Sequence, residues 1–234
     1  MRAMILAAGF GRRLKPFTDT IPKPLLPITQ GGTLLERHLT QLAQTGIREV
    51  MINIAYRGRQ IKEHIGDGSR YGINVFYAEE PEAQPLETGG AVQAILPWFE
   101  KQPFLLIAAD IWTNYPWEKL LHNMDHLEPH LAHLILVPTP SWAPQPDFSW
   151  NPKTKTLHNL TSTLPSYSYA GFGIFSPSLW HEQQSGIFPL RDILNKALAR
   201  PQPTIKASVH TGAWFNIGDR DRLEELTRYC NNTS

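Results

Sequence analysis

The chain has 234 residues, of which 41% are hydrophobic, and its 22 Lys and Arg nearly balance its 21 Asp and Glu. This composition is typical of a globular protein and argues against a nucleic-acid or membrane-surface partner. The single cysteine, Cys230, excludes a disulfide framework and a cysteine metal site. No apolar run has the length of a signal peptide or a membrane span, so we expect a cytoplasmic enzyme or binding protein.

Strand-like and helix-like segments alternate through the first half of the chain. Apolar segments predict strands at 2–8, 49–55, 73–80 and 104–110, and the intervening segments predict helices at 33–46, 57–66 and 87–99. Thr33 and Glu36 form a capping-box pattern at the start of the first helix. This alternation predicts βαβ units and an α/β fold with a mainly parallel mixed sheet flanked by helices.

The second half of the chain is less regular. Its segments predict strands at 131–138, 168–175, 205–210 and 214–218, and helices at 189–199 and 219–230. Asp219 is a candidate N-cap of the last helix. The Pro- and Trp-rich segment 139–154 predicts an extended loop. Because no repeat or linker interrupts the chain, 1–234 is interpreted as one domain.

The loop after the first strand combines glycines with basic side chains, namely Gly9, Gly11, Arg12, Arg13, Lys15 and Lys23. Ligands of parallel sheets bind at the carboxyl ends of strands, where glycines let backbone N–H groups approach phosphates and basic groups neutralise their charge. Leu14 stands at the third glycine position of a dinucleotide fingerprint, and no Walker Gly-Lys-Ser/Thr is present. The loop therefore predicts another kind of phosphate site, with an ordinary solvated surface loop as the alternative.

Motifs along nearly the whole chain occur in the order of a known family. They are LAAGFGRRLKPFT, PKPLLPI, GDGSRYGINVFYAEE, PLETGG, FLLIAAD, YAGFGIFSP and WFNIGDRDRL. Together they resemble the sugar-1-phosphate nucleotidyltransferases. The resemblance implies a Rossmann-like nucleotide-diphospho-sugar transferase fold, with a nucleotide-binding part at about 1–112 and a sugar-phosphate-binding part at about 113–234. It also implies attack of a sugar-1-phosphate oxygen on the α-phosphorus of an NTP, release of pyrophosphate, and use of Mg²⁺.

The functional residues of that family carry over to matching positions here. The implied catalytic residues, which would stabilise the phosphates and the departing pyrophosphate, are Arg13 and Lys23. The implied nucleotide-binding residues are Ala7, Ala8, Gly9, Gly11, Arg13, Glu80, Leu86 and Gly90. The implied sugar-binding residues are Glu87, Tyr169 and Gly171. The implied metal ligands are Asp110 and Asn216.

Some of these residues also have a chemical reason to lie in such a site. Asp110 ends an apolar strand, where a carboxylate can hold Mg²⁺ against phosphates, although a turn Asp gives the same pattern. Glu80 can accept a hydrogen bond from the imino N–H of uracil, but guanine carries such a donor too. Gly89 and Gly90, at the start of a helix, fit either close approach of a base or tight helix packing.

The sequence departs from the family pattern at three places. Asn216 stands where the family has its second metal-binding Asp, so the implied site loses a negative charge. Ala108 and Ala109 replace the usual Asn-Gly, and Ile54 replaces a His of close relatives. A non-catalytic nucleotide or sugar-phosphate binding module of the same fold is therefore an alternative.

The expected substrates follow from the resemblance of GDGSRYG and PLETGG. They are UTP and N-acetylmuramate 1-phosphate, which would place the enzyme in peptidoglycan recycling. A mannose- or glucose-1-phosphate nucleotidyltransferase that uses another NTP is the alternative enzyme. The missing third glycine and the PKP motif disfavour an NAD-dependent oxidoreductase. The motifs carry no information on the oligomeric state.

Overall fold

The computed structural model describes residues 1–28, 32–122 and 127–233. They form two compact units. The first consists of Met1–Pro85, Ile107–Trp117 and Ala213–Ser234, and the second of Leu86–Leu106 and Glu118–Gly212. No helix among the described residues is both long enough and apolar enough to cross a membrane.

Three parallel strands form the centre of the first unit, β1 (Arg2–Leu6), β2 (Glu49–Ile54) and β3 (Asn74–Glu79). β2 lies in the middle, where Met51 is opposite Met4 of β1 and Phe76 of β3. The helices α1 (Leu34–Gln44) and α2 (Gly58–Ile65) connect these strands. Parallel pairing brings the loops after all three strands to one edge of the unit.

The predicted capping box fixes the start of α1. The Thr33 side chain accepts a hydrogen bond from the Glu36 N–H at 3.2 Å, and the Glu36 carboxylate accepts one from the Thr33 N–H at 2.9 Å. Two backbone donors are thereby satisfied at the helix start. Leu35, Leu39 and Leu42 are at most 1% exposed, so the helix packs by one apolar face.

A short antiparallel pair completes the first unit. It consists of β5 (Ile111–Thr113), directly after β4 (Phe104–Ala108), and β11 (Trp214–Asn216). The helix α6 (Arg220–Thr233) follows, and Asp219 caps it by accepting the Arg222 N–H at 3.2 Å. This confirms the predicted N-cap. Leu226 of α6 packs in a buried cluster with Leu34, Trp112 and Ile217.

The second unit contains a mostly antiparallel sheet. Its strands are β6 (Ala132–Val137), β7 (Phe148–Asn151), β8 (Thr156–His158), β9 (Ser166–Phe175) and β10 (Ile205–Val209). Their order is β9–β6–β10–β8–β7, and β7 also pairs with β9. β6 and β10 run parallel, whereas β6–β9, β8–β10, β7–β8 and β7–β9 run antiparallel.

The remaining helices are α3 (Glu87–Ala94), α4 (Trp117–His122) and α5 (Leu190–Leu198). Short 3₁₀ helices lie at Arg12–Leu14, Phe17–Asp19, Lys23–Leu25, Ser69–Tyr71, Leu96–Phe99 and Pro177–Trp180. An aromatic cluster forms the core of the second unit, where the rings of Phe99 and Phe104 stack at 3.7 Å and Trp180 lies 5.8 Å from Phe104.

The predicted strands and helices are present, with three differences. The predicted helix at 87–99 ends at Ala94, because Pro97 lacks the N–H that would continue it, and Leu96–Phe99 forms a 3₁₀ helix instead. The predicted loop at 139–154 is wrong over Phe148–Asn151, which forms β7 by pairing with β8 and β9. A mainly parallel arrangement describes the first unit, whereas the second unit is mixed and mostly antiparallel.

Candidate active site

The loop after β1 uses its two glycines differently. Gly11 has φ +62°, and a Cβ there would lie 2.8 Å from Thr18 Cγ2. Thr18 Oγ1 also donates to the Gly11 carbonyl at 2.9 Å. Gly9 is exposed, and a Cβ there would meet no atom within 4 Å. Gly11 therefore shapes the loop, whereas Gly9 leaves its backbone accessible to a ligand.

Residues after β2 hold this loop in place. The Tyr56 hydroxyl donates to the Thr18 carbonyl at 2.9 Å, and its ring lies 5.6 Å from that of Phe10. The Arg57 guanidinium donates to the Asp19 carbonyl. The loop is thus fixed at both ends by a neighbouring strand end, as a preorganised binding loop requires.

Lys23 and Asp110 form an ion pair although they are 87 residues apart. Lys23 Nζ lies 2.5 Å from Asp110 Oδ2, and the two side chains are 15% and 27% exposed. Lys23 opens a 3₁₀ helix after Pro22, and Asp110 follows β4. The structure therefore places a predicted catalytic residue beside a predicted metal ligand, and both remain reachable from solvent.

Asn216 lies beside Asp110 through the pairing of β5 and β11. Asn216 is opposite Ile111, and the Ile217 N–H donates to the Asp110 carbonyl at 2.8 Å. The residue that departs from the family pattern is therefore next to the predicted acidic ligand. Asp219 caps α6 and pairs with Arg222 at 3.1 Å, so its carboxylate is already engaged.

Two guanidinium groups and the Asn216 amide converge at Gly218. A Cβ on Gly218 would lie 2.7 Å from Arg222 Nη1, 3.0 Å from Arg13 Nη2 and 3.4 Å from Asn216 Oδ1. Guanidinium groups bind phosphate oxygens through charge-assisted hydrogen bonds. The structure thus brings Arg13 to the predicted metal ligand and adds Arg222, which the sequence analysis missed.

The oxygen ligands here suit a magnesium ion that is bound together with a substrate. Among the described residues, no group of three or more His, Cys, Asp and Glu could hold a metal. Asp110 and Asn216 offer one carboxylate and one amide oxygen. Mg²⁺ prefers oxygen ligands and is held by one or two carboxylates plus substrate phosphates. The residues therefore fit Mg²⁺ in a metal–nucleotide complex rather than in a cage of protein ligands.

A buried polar side chain connects the ends of β1 and β3. Asn53 of β2 accepts the Ala7 N–H at 2.7 Å and donates to Glu80 Oε1 at 2.6 Å. Ala7, Asn53 and Glu80 are at most 9% exposed. The Ala7 N–H is therefore engaged within the protein, while Ala8 is buried next to it.

A buried histidine lies next to residues 109–111, which contain the predicted metal ligand Asp110. His38 of α1 is 2% exposed, and neither ring nitrogen has a hydrogen-bond partner of good geometry among the described residues. Burial, reinforced by the charge of Arg37, lowers the pKa of His38 to about 4, although nearby Asp110 opposes this shift. At neutral pH the imidazole is therefore uncharged. In the sequence, the position of His38 on the apolar face of α1 indicates that this side chain is buried.

The GDGSRYG motif has a structural role in the first unit. Glu36 Oε1 accepts from Tyr71 OH at 2.9 Å and from Arg70 at 3.2 Å, and it lies 3.0 Å from His64 Nε2. Burial acts to raise the pKa of Glu36, but the hydrogen bonds from Thr33, Tyr71 and His64 together outweigh it, so the pKa is lowered. The motif is thereby attached to the start of α1.

In the second unit, the glycines of PLETGG are explained by packing. A Cβ on Gly90 would lie 2.2 Å from the Gly186 carbonyl oxygen, and one on Gly89 would lie 2.5 Å from Phe188 Cδ2. Their N–H groups both donate to the Phe188 carbonyl. This supports tight packing, one of the two interpretations of these glycines. Leu86 accepts the Phe188 N–H at 3.3 Å, and Glu87 adopts φ +59°.

The predicted sugar-binding strand β9 is irregular. Leu134 pairs with Gly173 and Leu136 with Tyr169, so β9 bulges around Gly171, which has φ +86°. Bulges of this kind redirect side chains and are frequent next to binding sites. The hydroxyl of Tyr169 is buried without a hydrogen-bond partner among the described residues, and burial raises its pKa.

Two charged residues support Tyr169 in the second unit. Asp147 Oδ2 accepts the Tyr169 N–H at 2.9 Å, and Asp147 Oδ1 pairs with Arg191 of α5. The sequence analysis missed both, because Asp147 lies in the segment predicted as a loop. Asn53 and Arg222 were missed for a different reason, since their roles depend on partners far away in the chain.

Comparison with known proteins identifies relatives along the whole chain. A family model described as nucleotidyl transferase matches residues 2–146. An N-acetylmuramate alpha-1-phosphate uridylyltransferase from Neisseria meningitidis is 38% identical over 227 residues, which cover 96% of each protein. A mannose-1-phosphate guanylyltransferase catalytic subunit beta from Drosophila melanogaster is 30% identical over 97% of this chain but 62% of its own length.

A solved structure shares the fold. A Bacillus anthracis protein, crystallised in complex with sucrose, matches with a TM-score of 0.84 over 99% of this chain and 96% of its own. The two sequences are 18% identical, so this likeness concerns the fold alone. It confirms the expected α/β nucleotidyltransferase architecture.

Proposed function

Because the chain belongs to the nucleotidyl transferase family, we propose that it transfers a uridylyl group from UTP to N-acetylmuramate 1-phosphate and releases pyrophosphate. The observation that supports these two substrates is the 38% identity, over 96% of each protein, to the N-acetylmuramate alpha-1-phosphate uridylyltransferase from Neisseria meningitidis. With these substrates, we further propose a cytoplasmic role in peptidoglycan recycling. We also propose that the whole chain acts as one nucleotidyltransferase domain, which contains the binding residues for both substrates.

In this mechanism the protein positions two phosphates and neutralises their charge. Phosphoryl transfer of this kind depends on orientation and electrostatics more than on covalent catalysis. Lys23 Nζ contacts the attacking sugar phosphate and the α-phosphate. Arg13 binds the phosphates that leave as pyrophosphate, and its proximity to Asn216 and Gly218 supports this role. Backbone N–H groups at Gly9 and Gly11 bind the triphosphate.

Asp110 and Asn216 would hold Mg²⁺ through their side-chain oxygens. The ion, when bound, neutralises phosphate charge during transfer. Because Asn216 is uncharged, the protein contributes one anionic ligand and the nucleotide supplies most of the negative charge. Asp110 and Asn216 would therefore hold Mg²⁺ in its complex with UTP.

In the second unit, Glu87, Tyr169 and Gly171 bind the sugar in this proposal, and Leu86 and Gly90 are retained as nucleotide-binding residues. The bulge at Gly171 and the support of Tyr169 by Asp147 favour these assignments. Gly90 contributes mainly by allowing the close packing of α3.

Asn216 also favours a second candidate, a nucleotide or sugar-phosphate binding module without catalysis. Pyrophosphate release distinguishes the two. Purified protein is incubated with UTP, CTP, GTP or dTTP and with the 1-phosphates of N-acetylmuramate, N-acetylglucosamine, glucose or mannose. We expect release with UTP and N-acetylmuramate 1-phosphate. Binding of UTP without release under any condition would favour the binding module, and preference for another NTP would remove the uridylyl assignment.

A further inference from the structure

Asn53 joins the ends of the two strands that flank β2. It is 3% exposed, its Oδ1 accepts the Ala7 N–H at 2.7 Å, and its Nδ2 donates to Glu80 Oε1 at 2.6 Å. The Glu80 N–H donates to the Ile54 carbonyl at 2.8 Å, which fixes the backbone of Glu80 as well. Both the main chain and the side chain of Glu80 are therefore held by β2.

The Asn53 amide has a single orientation in this arrangement. An N–H group can only donate, so Asn53 must turn its oxygen to Ala7 and its NH₂ group to Glu80. The Glu80 oxygen next to Asn53 is consequently held as an acceptor. A carboxylate accepts several hydrogen bonds at once, so Glu80 can also receive a donor from a ligand. Glu80 lines a cavity of about 420 Å³ together with Ile54 and Ala55.

We propose that Asn53 is a positioning residue that sets the base preference, because it holds Glu80 as an acceptor for the imino N–H of uracil. The inference rests on the proposed function and on Glu80 as a nucleotide-binding residue, which the family resemblance implies. Cytosine has an acceptor nitrogen where uracil has this N–H. The held carboxylate therefore pairs with UTP and opposes CTP, as sites built around one hydrogen bond reject analogues that cannot make it.

The substitution Glu80→Gln tests whether Asn53 determines which group of the side chain at position 80 faces the base. Asn53 still donates, so the Gln side chain must turn its oxygen to Asn53 and its NH₂ group to the base. That NH₂ group matches the acceptor nitrogen of cytosine and opposes uracil. We expect the ratio of kcat/KM for UTP over CTP to fall by at least ~100-fold.

The double substitution Asn53→Asp with Glu80→Gln should reverse the effect. The introduced aspartate keeps an acceptor for the Ala7 N–H but can no longer donate. The Gln side chain then turns its NH₂ group to this aspartate and its oxygen to the base, which restores the preference for UTP. A merely structural role of Asn53 would instead lower the activity with both nucleotides together.

The experiment measures pyrophosphate release with UTP and with CTP for the wild type, Glu80→Gln, and the double variant. Glu118→Gln is the matched control, since it makes the same chemical change on an exposed residue of α4 outside this cavity, and its UTP/CTP ratio should equal that of the wild type. Thermal unfolding of each variant checks that it is folded. An unchanged ratio in Glu80→Gln, or no recovery in the double variant, would overturn the inference.

Calorimetric titration of UTP and CTP separates this inference from the proposed function. If the wild type binds UTP but releases no pyrophosphate, the proposed function fails, and the UTP/CTP ratio of dissociation constants still reports the effect of Asn53. The expected pattern across the variants is the same as for kcat/KM. Equal affinity of the wild type for UTP and CTP, or no binding of either, would contradict the role of Asn53.

Discussion

The two units use their motif residues in different ways. In the first unit, charged and polar side chains from separate strand ends meet, as Lys23 meets Asp110 and Asn53 meets Glu80. In the second unit, Gly89 and Gly90 pack against residues 186–188, and Tyr169 buries its hydroxyl. Motif residues of the first unit thus form a polar site, whereas several motif residues of the second unit contribute to the internal packing of that unit.

This difference has a physical origin in the two sheets. Parallel strands bring all their carboxyl ends to one edge, so residues after β1 and β3 become neighbours through β2. In the antiparallel part, successive strand ends point in opposite directions, and irregularities such as the β9 bulge have to redirect side chains. Substitutions in the two units should therefore affect different measurements.

The largest effect is expected from the basic groups of the first unit. Arg13→Ala and Lys23→Ala should each lower kcat by at least ~100-fold, the cost of one preorganised charge-stabilising group. Both proteins should remain folded, because Arg13 is exposed and water can solvate the partly exposed Asp110. Steady-state rates and melting curves give the two readouts.

Lys15→Ala is the matched control for these variants. Lys15 lies in the same loop, and its ion pair with Asp19 is largely exposed, with side chains 61% and 47% accessible. Exposed ion pairs contribute little to stability, so the rate and the melting temperature should stay near wild type. Near-wild-type rates in folded Arg13→Ala or Lys23→Ala would remove these residues from the mechanism.

The second unit should show a pH effect on stability through His133. Burial, then the charges of Lys206 and His130, lower its pKa to about 4 from an ordinary value of 6.5. The folded state therefore favours the neutral ring. The resulting contribution of His133 to the free energy of unfolding is complete above pH 6.5 and is lost as the pH falls towards 4. His133→Gln should remove about 2–3 kcal/mol of the decline in unfolding free energy over this range.

Urea unfolding at several pH values between 7 and 4 provides the measurement for His133. Exposed His181→Gln is the control and should keep the wild-type dependence on pH. A His133→Gln profile parallel to that of the wild type would mean that His133 does not stay neutral in the folded protein.

A packing test in the second unit compares two glycines. Gly90→Ala places a methyl group 2.2 Å from the Gly186 carbonyl oxygen, so we expect a loss of about 1–3 kcal/mol in unfolding free energy. Gly186→Ala introduces the same methyl group where no atom lies within 4 Å and should change stability by less than about 0.5 kcal/mol. Equal stability of the two variants would refute the packing explanation.

The smallest effect concerns Asn216, the predicted metal ligand that departs from the family pattern. Asn216→Asp adds a negative charge beside Asp110, so the half-saturating Mg²⁺ concentration should fall several-fold. The fall should be about tenfold at most, which corresponds to roughly 1.4 kcal/mol of metal-binding free energy. Mn²⁺ should activate the wild type at lower concentration than Mg²⁺ does. A metal titration of pyrophosphate release measures both. An active, folded Asn216→Asp protein with unchanged metal dependence would place Asn216 away from the metal.

Local patterns predicted more of the first unit than of the second. The capping box of α1 and the alternation of β1 to β3 depend on residues close in sequence, and both are confirmed. The three-residue strand β5 is too short for a periodic signal, and β7 forms in a Pro-rich segment because β8 and β9 pair with it. Pairing with other strands, rather than local sequence propensity, therefore determines that these segments form strands.

The candidate site shows the same limit. The family pattern predicts Arg13, Lys23 and Asp110, whereas the hydrogen bonds of Asn53 join it to Ala7 and Glu80, which lie 46 and 27 residues away. Arg222 of α6 likewise lies near Arg13 at Gly218, although more than 200 residues of sequence separate the two arginines. Such contacts depend on the topology, so no short stretch of sequence contains them.

One competition assay tests the central claim most directly. The wild-type protein is given UTP, CTP, GTP and dTTP at equal concentrations, with equal amounts of N-acetylmuramate 1-phosphate and N-acetylglucosamine 1-phosphate in the presence of Mg²⁺. Mass spectrometry then identifies the nucleotide sugars formed, whose ratios report relative kcat/KM. We predict UDP-N-acetylmuramate as the main product. Another nucleotide sugar as the main product, or none while Mg²⁺ and UTP are bound, would contradict the proposed uridylyltransferase.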